Sequence, residues 1–323
     1  MSIDNDLFVR VSGGRVETPV AAAVPRHGDS IGEARIVRAL RRGSTGWVYL
    51  AQHIKNNTPM AVEFLSPECS DDTHLIFREK ARKHAALNHP NIIRVHKLGT
   101  WEEDQPYVAM EYVDGPSLSE LLHCHGNLPP RVALAVTIQL CRALQEVWKV
   151  NLDCESVEPP GNHRVPMPED MVFTPAGELK LSLLGPGRAR CITTCADQGY
   201  IPAVYSYMSP EQQEAGSTPV DHRSDIYSVG VLLFEMITGT RPFPEESVGS
   251  LFRAKKREEY PVIRHRAPGV PDSVRSLIER ALKPDPEKRW QRFGALNMAL
   301  SASLRDMSRS SPIHIVGEYI KTS

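Results

Sequence analysis

The sequence predicts an α+β protein of two lobes, a small β-rich one followed by a larger helical one. Length is the first reason: 323 residues make about two compact units at roughly 150 residues each. The second is the order of periodicities, with short β-type runs and turn residues crowding the first third and 3.6-residue spacing dominating the rest. The third is composition: 41% apolar and 24% charged residues describe an ordinary globular chain, not a disordered or fibrous one.

Residues 1–30 carry no strong periodicity and read as an extension, with Leu7–Val11 as a short strand. Ile36–Leu40, Trp47–His53 and Met60–Leu65 read as strands separated by the turn-forming Gly43–Gly46 and Asn56–Pro59. Thr73–Leu87 has helical spacing, with Leu75, Ile76, Ala81, Ala85 and Leu87 as its apolar contacts. Strand character returns in Ile92–Leu98 and Tyr107–Tyr112. From Gly115 the chain turns helical: Ser117–His123, then Pro129–Val150, which opens with prolines where a helix N-terminus tolerates them. A small hairpin, Met171–Phe173 with Leu179–Leu181, turns at Pro175-Ala176-Gly177. Asp221–Gly239, Val248–Glu258, Asp272–Ala281 and Phe293–Leu304 complete the helices. This divides the chain into an N-lobe at 31–113, a C-lobe at 114–305 and a tail at 306–323, in which Ile313–Ile320 is open as a strand.

A formal net charge of −1 gives no support to nucleic-acid or membrane-surface binding driven by bulk charge. Six cysteines are too few for a disulfide framework, and Cys191 and Cys195 have no second Cys or His pair at a zinc-like spacing. The start lacks a secretory signature, and the longest uncharged stretches reach about half the ~20 residues of a bilayer span. The expectation is a cytoplasmic protein with no nucleic-acid and no membrane partner.

Nine ordered landmarks then resemble the eukaryotic-type Ser/Thr protein kinase family in its bacterial style, over about 31–304. Gly43-Ser44-Thr45-Gly46-Trp47-Val48-Tyr49 looks like a Gly-rich loop, and Met60-Ala61-Val62-Glu63 stands where the family has V-A-I-K. His89-Pro90-Asn91-Ile92 follows the αC-like helix, and Met110-Glu111-Tyr112-Val113 resembles the hinge. His163–Phe173 aligns with the catalytic loop, Leu183-Leu184-Gly185 with D-F-G and Met208-Ser209-Pro210-Glu211 with A-P-E. Asp225–Gly230 and Asp285–Trp290 complete the set. The resemblance implies a two-lobed protein-kinase-like fold.

It also implies a chemistry whose parts are altered. Phosphoryl transfer asks for positioning and charge neutralisation: a Lys on the phosphates, metal-binding Asp and Asn, and an Asp to take the hydroxyl proton. The Lys position holds Glu63, which at ~4 Å and an effective dielectric of ~20 would repel a phosphate charge by about 4 kcal/mol. The catalytic Asp position holds Val165, the following Lys position Met167, the Asn position Asp170 and the D-F-G Asp position Leu183. Arg41 puts a bulky side chain at the first glycine of the loop. By contrast, Glu211 and Arg289 stand where the family has a buried ion pair, and His163, Arg164 and Asp225 stand at its structural positions. The expectation is a non-enzyme, a pseudokinase acting as scaffold or allosteric regulator on another protein, an active kinase among the candidates. The alternative is a Ser/Thr kinase or nucleotide-dependent transferase with atypical residues.

Counting back nine residues from His89 reaches Lys80, so the family's Lys–Glu pair reads here as Glu63 with Lys80, its charges exchanged; the competing reading leaves Lys80 solvated and gives Glu79 to Lys83 at i,i+4. Gly43, Gly46, Val48, Ala61, Met110 and Val172 mark a remnant nucleotide pocket, with no cofactor and no metal expected and at most weak, metal-independent ATP binding. Two further features stay open. Asn151–Asn162 is an insertion beside the cleft, either partner-binding or solvated, and Arg164 with Thr193 and Thr194 forms a phospho-switch or a local backbone contact. Lys255–Glu259 is read as a solvated helix face and His84 as a satisfied core histidine.

Overall fold

A computed structural model describes residues 25–42, 46–66, 69, 71–102, 105–151, 165–183, 203–213, 220–244 and 247–322. The first lobe is a six-stranded antiparallel sheet of β1 (Ser30–Ile31), β2 (Ala34–Arg42), β3 (Gly46–His53), β4 (Pro59–Leu65), β5 (Val95–Trp101) and β6 (Gln105–Glu111). The spatial order is β1-β2-β3-β4-β6-β5. One helix, α1 (Asp71–Ala85), lies against β5 and β6. Val62, Phe64, Tyr49, Tyr107 and Ala51 fill one face of the sheet, while Val48, Ala61, Val108, Met110 and Leu65 meet Phe77 and Ala81 of α1 on the other. This two-sided burial is why β4 and β6 are apolar almost throughout.

The second lobe holds α2 (Leu118–His125), α3 (Pro130–Asn151), the hairpin β7 (Met171–Phe173) and β8 (Leu179–Leu181), α4 (Val204–Tyr207) and α5 (Pro210–Gln213). It continues through α6 (His222–Thr238), α7 (Val248–Lys256), α8 (Ile263–Arg266), α9 (Asp272–Ala281), α10 (Phe293–Met307) and α11 (Pro312–Thr322). Ser117 caps α2 in a reciprocal box with Glu120, whose carboxylate accepts the Ser117 amide at 2.7 Å, a device that stabilises a helix by about 1 kcal/mol. Asp221 caps α6, and Gly239 closes it in the left-handed conformation. α6 is buried on every side from Ser224 to Ile237 except at Glu235, as a central helix must be. No described helix is long and apolar enough to cross a membrane.

The strands and helices expected from Ile36 onward fall within a few residues of these elements, the expected strand Leu7–Val11 lies outside the described residues, and three details differ. On α1 the buried side chains are Thr73, Phe77, Ala81 and His84, while Leu75 is 60% exposed and Ala85 is exposed too. Steps of four and three residues keep the first set on one face, and Leu75 lies about 200° round from Thr73. His84 is the core histidine expected, donating its Nε2 proton to the Ile93 carbonyl at 2.7 Å. Lys255, expected on a solvated face, is 0% exposed. It reaches inward to donate to the carbonyls of Tyr205 at 2.5 Å and Met208 at 2.6 Å, backbone acceptors that give the buried ammonium its partners. Burial drives the Lys255 ammonium well below the ordinary lysine range.

Ile313–Ile320, open as a strand in the sequence, lies within the helix α11, which buries Ile315, Val316 and Gly317 and packs on α3. Its seat is a backbone-to-backbone contact: a Cβ on Gly317 would stand 2.4 Å from the Ala176 oxygen, and one on Gly177 would stand 2.1 Å from the Gly317 nitrogen. Gly317→Leu is therefore expected to cost about 1–3 kcal/mol, read as a lower urea midpoint at unchanged m-value. Gly294→Ala, where an added Cβ meets nothing within 4 Å, is the control and should not lower it.

Candidate functional site

Between the lobes lies a cavity of about 330 Å³. Its apolar lining comes from both lobes: Leu40, Val48, Ala61 and Met110 from the sheet, with Ile93, Val113 and Val172. The β3–β4–β6 register pairs Ala61 with both Leu50 and Met110, which sets the Ala61 and Met110 side chains together on the cleft face. Val48, Ala61, Met110 and Val172, expected around a purine, thus share one chamber. Gly46 does not line it; a Cβ there would stand 1.8 Å from the Phe64 oxygen, so the bare backbone at 46 serves the approach of β3 to β4. Gly43, His163, Arg164, Gly185, Cys191, Thr193, Thr194, Cys195 and the insertion at 152–162 lie outside the described residues.

The polar lining is acidic. Glu111, Glu120 and Glu169 face the cavity, along with Ser117, Ser119 and Ser182. Glu63 stands on β4 opposite Val48 and Val108 and is 6% exposed. Glu111 is held by Lys180 of β8 at 3.1 Å and accepts the Arg94 amide at 3.2 Å. On α1, Glu79 pairs with Lys83 at 3.0 Å. Lys80, half-buried, lies three residues beyond Phe77 and four before His84, along the buried stripe.

Val165 and Met167 are buried in the core of the second lobe, and Leu183 packs against it. Asp170 is buried too; its carboxylate accepts the Met167 amide at 3.1 Å, closing a single 3₁₀ turn at Pro168–Asp170. The resemblance implies a magnesium ion held by an Asp and an Asn. Leu183 offers no oxygen, and Asp170 alone is a poor match for an ion that takes one or two carboxylates with substrate phosphates, so the residues present do not fit that ion.

Below the cleft, the expected Glu211–Arg289 pair is formed and buried, at 3% and 0% side-chain exposure. It is bidentate, with nitrogen–oxygen distances of 2.6 and 2.7 Å. Ser224 donates to Glu211 at 2.6 Å, and the guanidinium also reaches the carbonyls of Lys283, Pro284 and Arg223. Burial by itself would raise the Glu211 carboxyl, but Arg289 and Ser224 outweigh it and hold the group below its ordinary 4.5. Asp225 accepts the Trp148 indole N–H at 2.7 Å, a partner not foreseen because an indole donor leaves no mark in sequence spacing.

A protein kinase domain model matches residues 35–300. The chain is similar to Serine/threonine-protein kinase PrkC of Bacillus subtilis, 31% identical over 262 residues that make 80% of this chain and 39% of that protein. It is also similar to Serine/threonine-protein kinase PknB of Mycobacterium leprae, 32% identical over 255 residues, 77% of this chain and 39% of that one. The chain therefore spans about two fifths of the length of these relatives. The crystal structure of the Mycobacterium tuberculosis PknI kinase domain superposes with a TM-score of 0.64, at 23% identity, over 86% of this chain and 99% of that domain; it shares the fold. These relatives overturn the expectation of a non-enzyme drawn from Glu63, Val165, Met167 and Leu183. They are named Ser/Thr protein kinases and point to an enzyme.

Glu211→Gln leaves the Arg289 charge buried without its counter-ion, an expected loss of about 3–5 kcal/mol at pH 7 in urea unfolding. The carboxyl's folded value lies below 4.5, so its contribution is whole above that value and drains as pH falls through the lower, folded one. The gap between wild type and variant should shrink across that acid window, and a gap independent of pH would contradict the assignment.

Proposed function

We propose that this chain, which belongs to the protein kinase family, is a nucleotide-dependent phosphotransferase that acts on protein hydroxyls with atypical cleft residues. The observation that carries this reading is its similarity, at about 30% identity across some four fifths of its length, to proteins named Ser/Thr-protein kinases. The cleft supports it: the chamber is open, apolar where a purine would sit, and of a size suited to a small molecule. Phosphoryl transfer leaves a protein little covalent work, so a changed set of groups can still position donor and acceptor. Nucleotide binding in this reading is metal-independent and weak. The partner is a protein that offers Ser or Thr, with another kinase of this kind among the candidates. Free thiols at Cys124 and Cys141 are consistent with a reducing, cytoplasmic setting.

The test is transfer itself. Full-length protein is incubated with γ-labelled ATP and a Ser- and Thr-bearing acceptor protein, without metal and with magnesium or manganese. Label on the acceptor is expected, and Val172→Phe, which fills the chamber, should abolish it. No label under any of these conditions would overturn the reading.

The exchanged pair belongs to the same proposal: Glu63 and Lys80 bridge β4 and α1 with charges inverted. A double-mutant cycle of Glu63→Ala and Lys80→Ala should give a coupling of about 0.5–3 kcal/mol in unfolding free energy. Strict additivity would remove the bridge.

A further inference from the structure

We propose that Arg41 is the phosphate-binding cation of this cleft, a proposal that rests on the nucleotide reading above. The need for such a group is electrostatic. Three carboxylates line the chamber, and Glu63 is buried beside it, so a polyphosphate entering it meets charge of its own sign. Among the described residues that line the chamber, Arg41 is the one cation.

Backbone geometry explains how it comes to face inward. Successive side chains of a regular strand point to opposite faces, yet Leu40 and Arg41 both line the chamber. The β2–β3 register shifts between Ala39, opposite Tyr49, and Arg41, opposite Val48. Leu40 is the extra residue of a bulge, and a bulge re-aims the side chain that follows it. The residue that replaces a bare backbone at this point of the strand is thus turned toward the ligand space.

The guanidinium already crosses the cleft. Its Nη1 donates to the Glu169 carbonyl oxygen at 3.4 Å, at an exposed position. That bond is long and made to a neutral acceptor. A phosphate oxygen offers a shorter, charge-assisted bond of roughly twice the strength, and the planar fork of donors matches it two bonds at a time. Arg41 would exchange the carbonyl for the phosphate, so that ligand phosphate and the C-lobe wall compete for one group.

The experiment is a calorimetric titration of full-length protein with adenosine and with ATP, in chelator and at low salt. ATP is expected to bind about tenfold more tightly than adenosine or better, the worth of one charge-assisted contact. Arg41→Gln should remove that advantage and leave adenosine affinity unchanged, Arg41→Lys should keep part of it, and both variants should melt with wild type, the side chain being exposed. Equal affinity of wild type for the two ligands, or an Arg41→Gln loss shared by both, would overturn the Arg41 assignment and leave the purine chamber standing. Binding of neither ligand would overturn the nucleotide reading and Arg41 with it.

Discussion

The cleft exists because the lobes are stitched together at one buried point. Asn91, in the loop that leaves α1, donates its side-chain amide to the Leu179 carbonyl at 3.0 Å and to the Gln139 side chain of α3 at 3.2 Å. Gln139 in turn accepts the Leu179 amide at 2.9 Å and donates to the Gly177 carbonyl at 3.1 Å. Main-chain bonds from Ile93 to Leu181 and from Leu181 to Asn91 complete the seam. Asn91 and Gln139 are buried, so each of these bonds is costly to leave unmade. Ile93 on one side of the seam and Val172 on the hairpin beyond it both line the chamber, so its width follows from this amide network.

A second buried polar centre lies within the second lobe. Glu211, Arg289, Ser224 and Lys255 converge behind the turn at 203–213, with Tyr227 under the Arg289 guanidinium at 5.0 Å. The charges there are compensated by bidentate and backbone contacts, which lets them stay in an apolar surround. The polar contact at the cleft is different in kind: Arg41 is exposed and makes a long bond, so the buried centre supplies rigidity and the cleft keeps an adaptable group.

Much of this was legible because periodicity is a local property. The hairpin at 171–173 and 179–181, the helix at 272–281 and the starts of the helices at Ser117 and Asp221 were read from spacing and residue type alone. The Glu211–Arg289 pair was reached through resemblance, and its geometry agrees. What escaped depends on how elements dock. The phase of α1 was misjudged because Leu75 is as apolar as Phe77 and only the sheet decides between them. Lys255 was assigned to solvent because its acceptors are carbonyls some fifty residues upstream. The direction in which Arg41 faces was not legible, because a bulge, which changes which way a side chain points, has no signature in a run such as Ala39-Leu40-Arg41-Arg42. The absence of enzyme activity was inferred from single positions, whereas the relatives speak to the chain as a whole.

Gly177 and Gly317 meet with nothing but main chain between them. Recognition at that spot works by missing atoms: the hairpin accepts whichever helix brings bare backbone to it. An amphipathic segment grafted in place of α11, however greasy its inner stripe, would ride up on its own first methyl group. The fit of the final helix is thus a matter of shape before it is one of hydrophobicity.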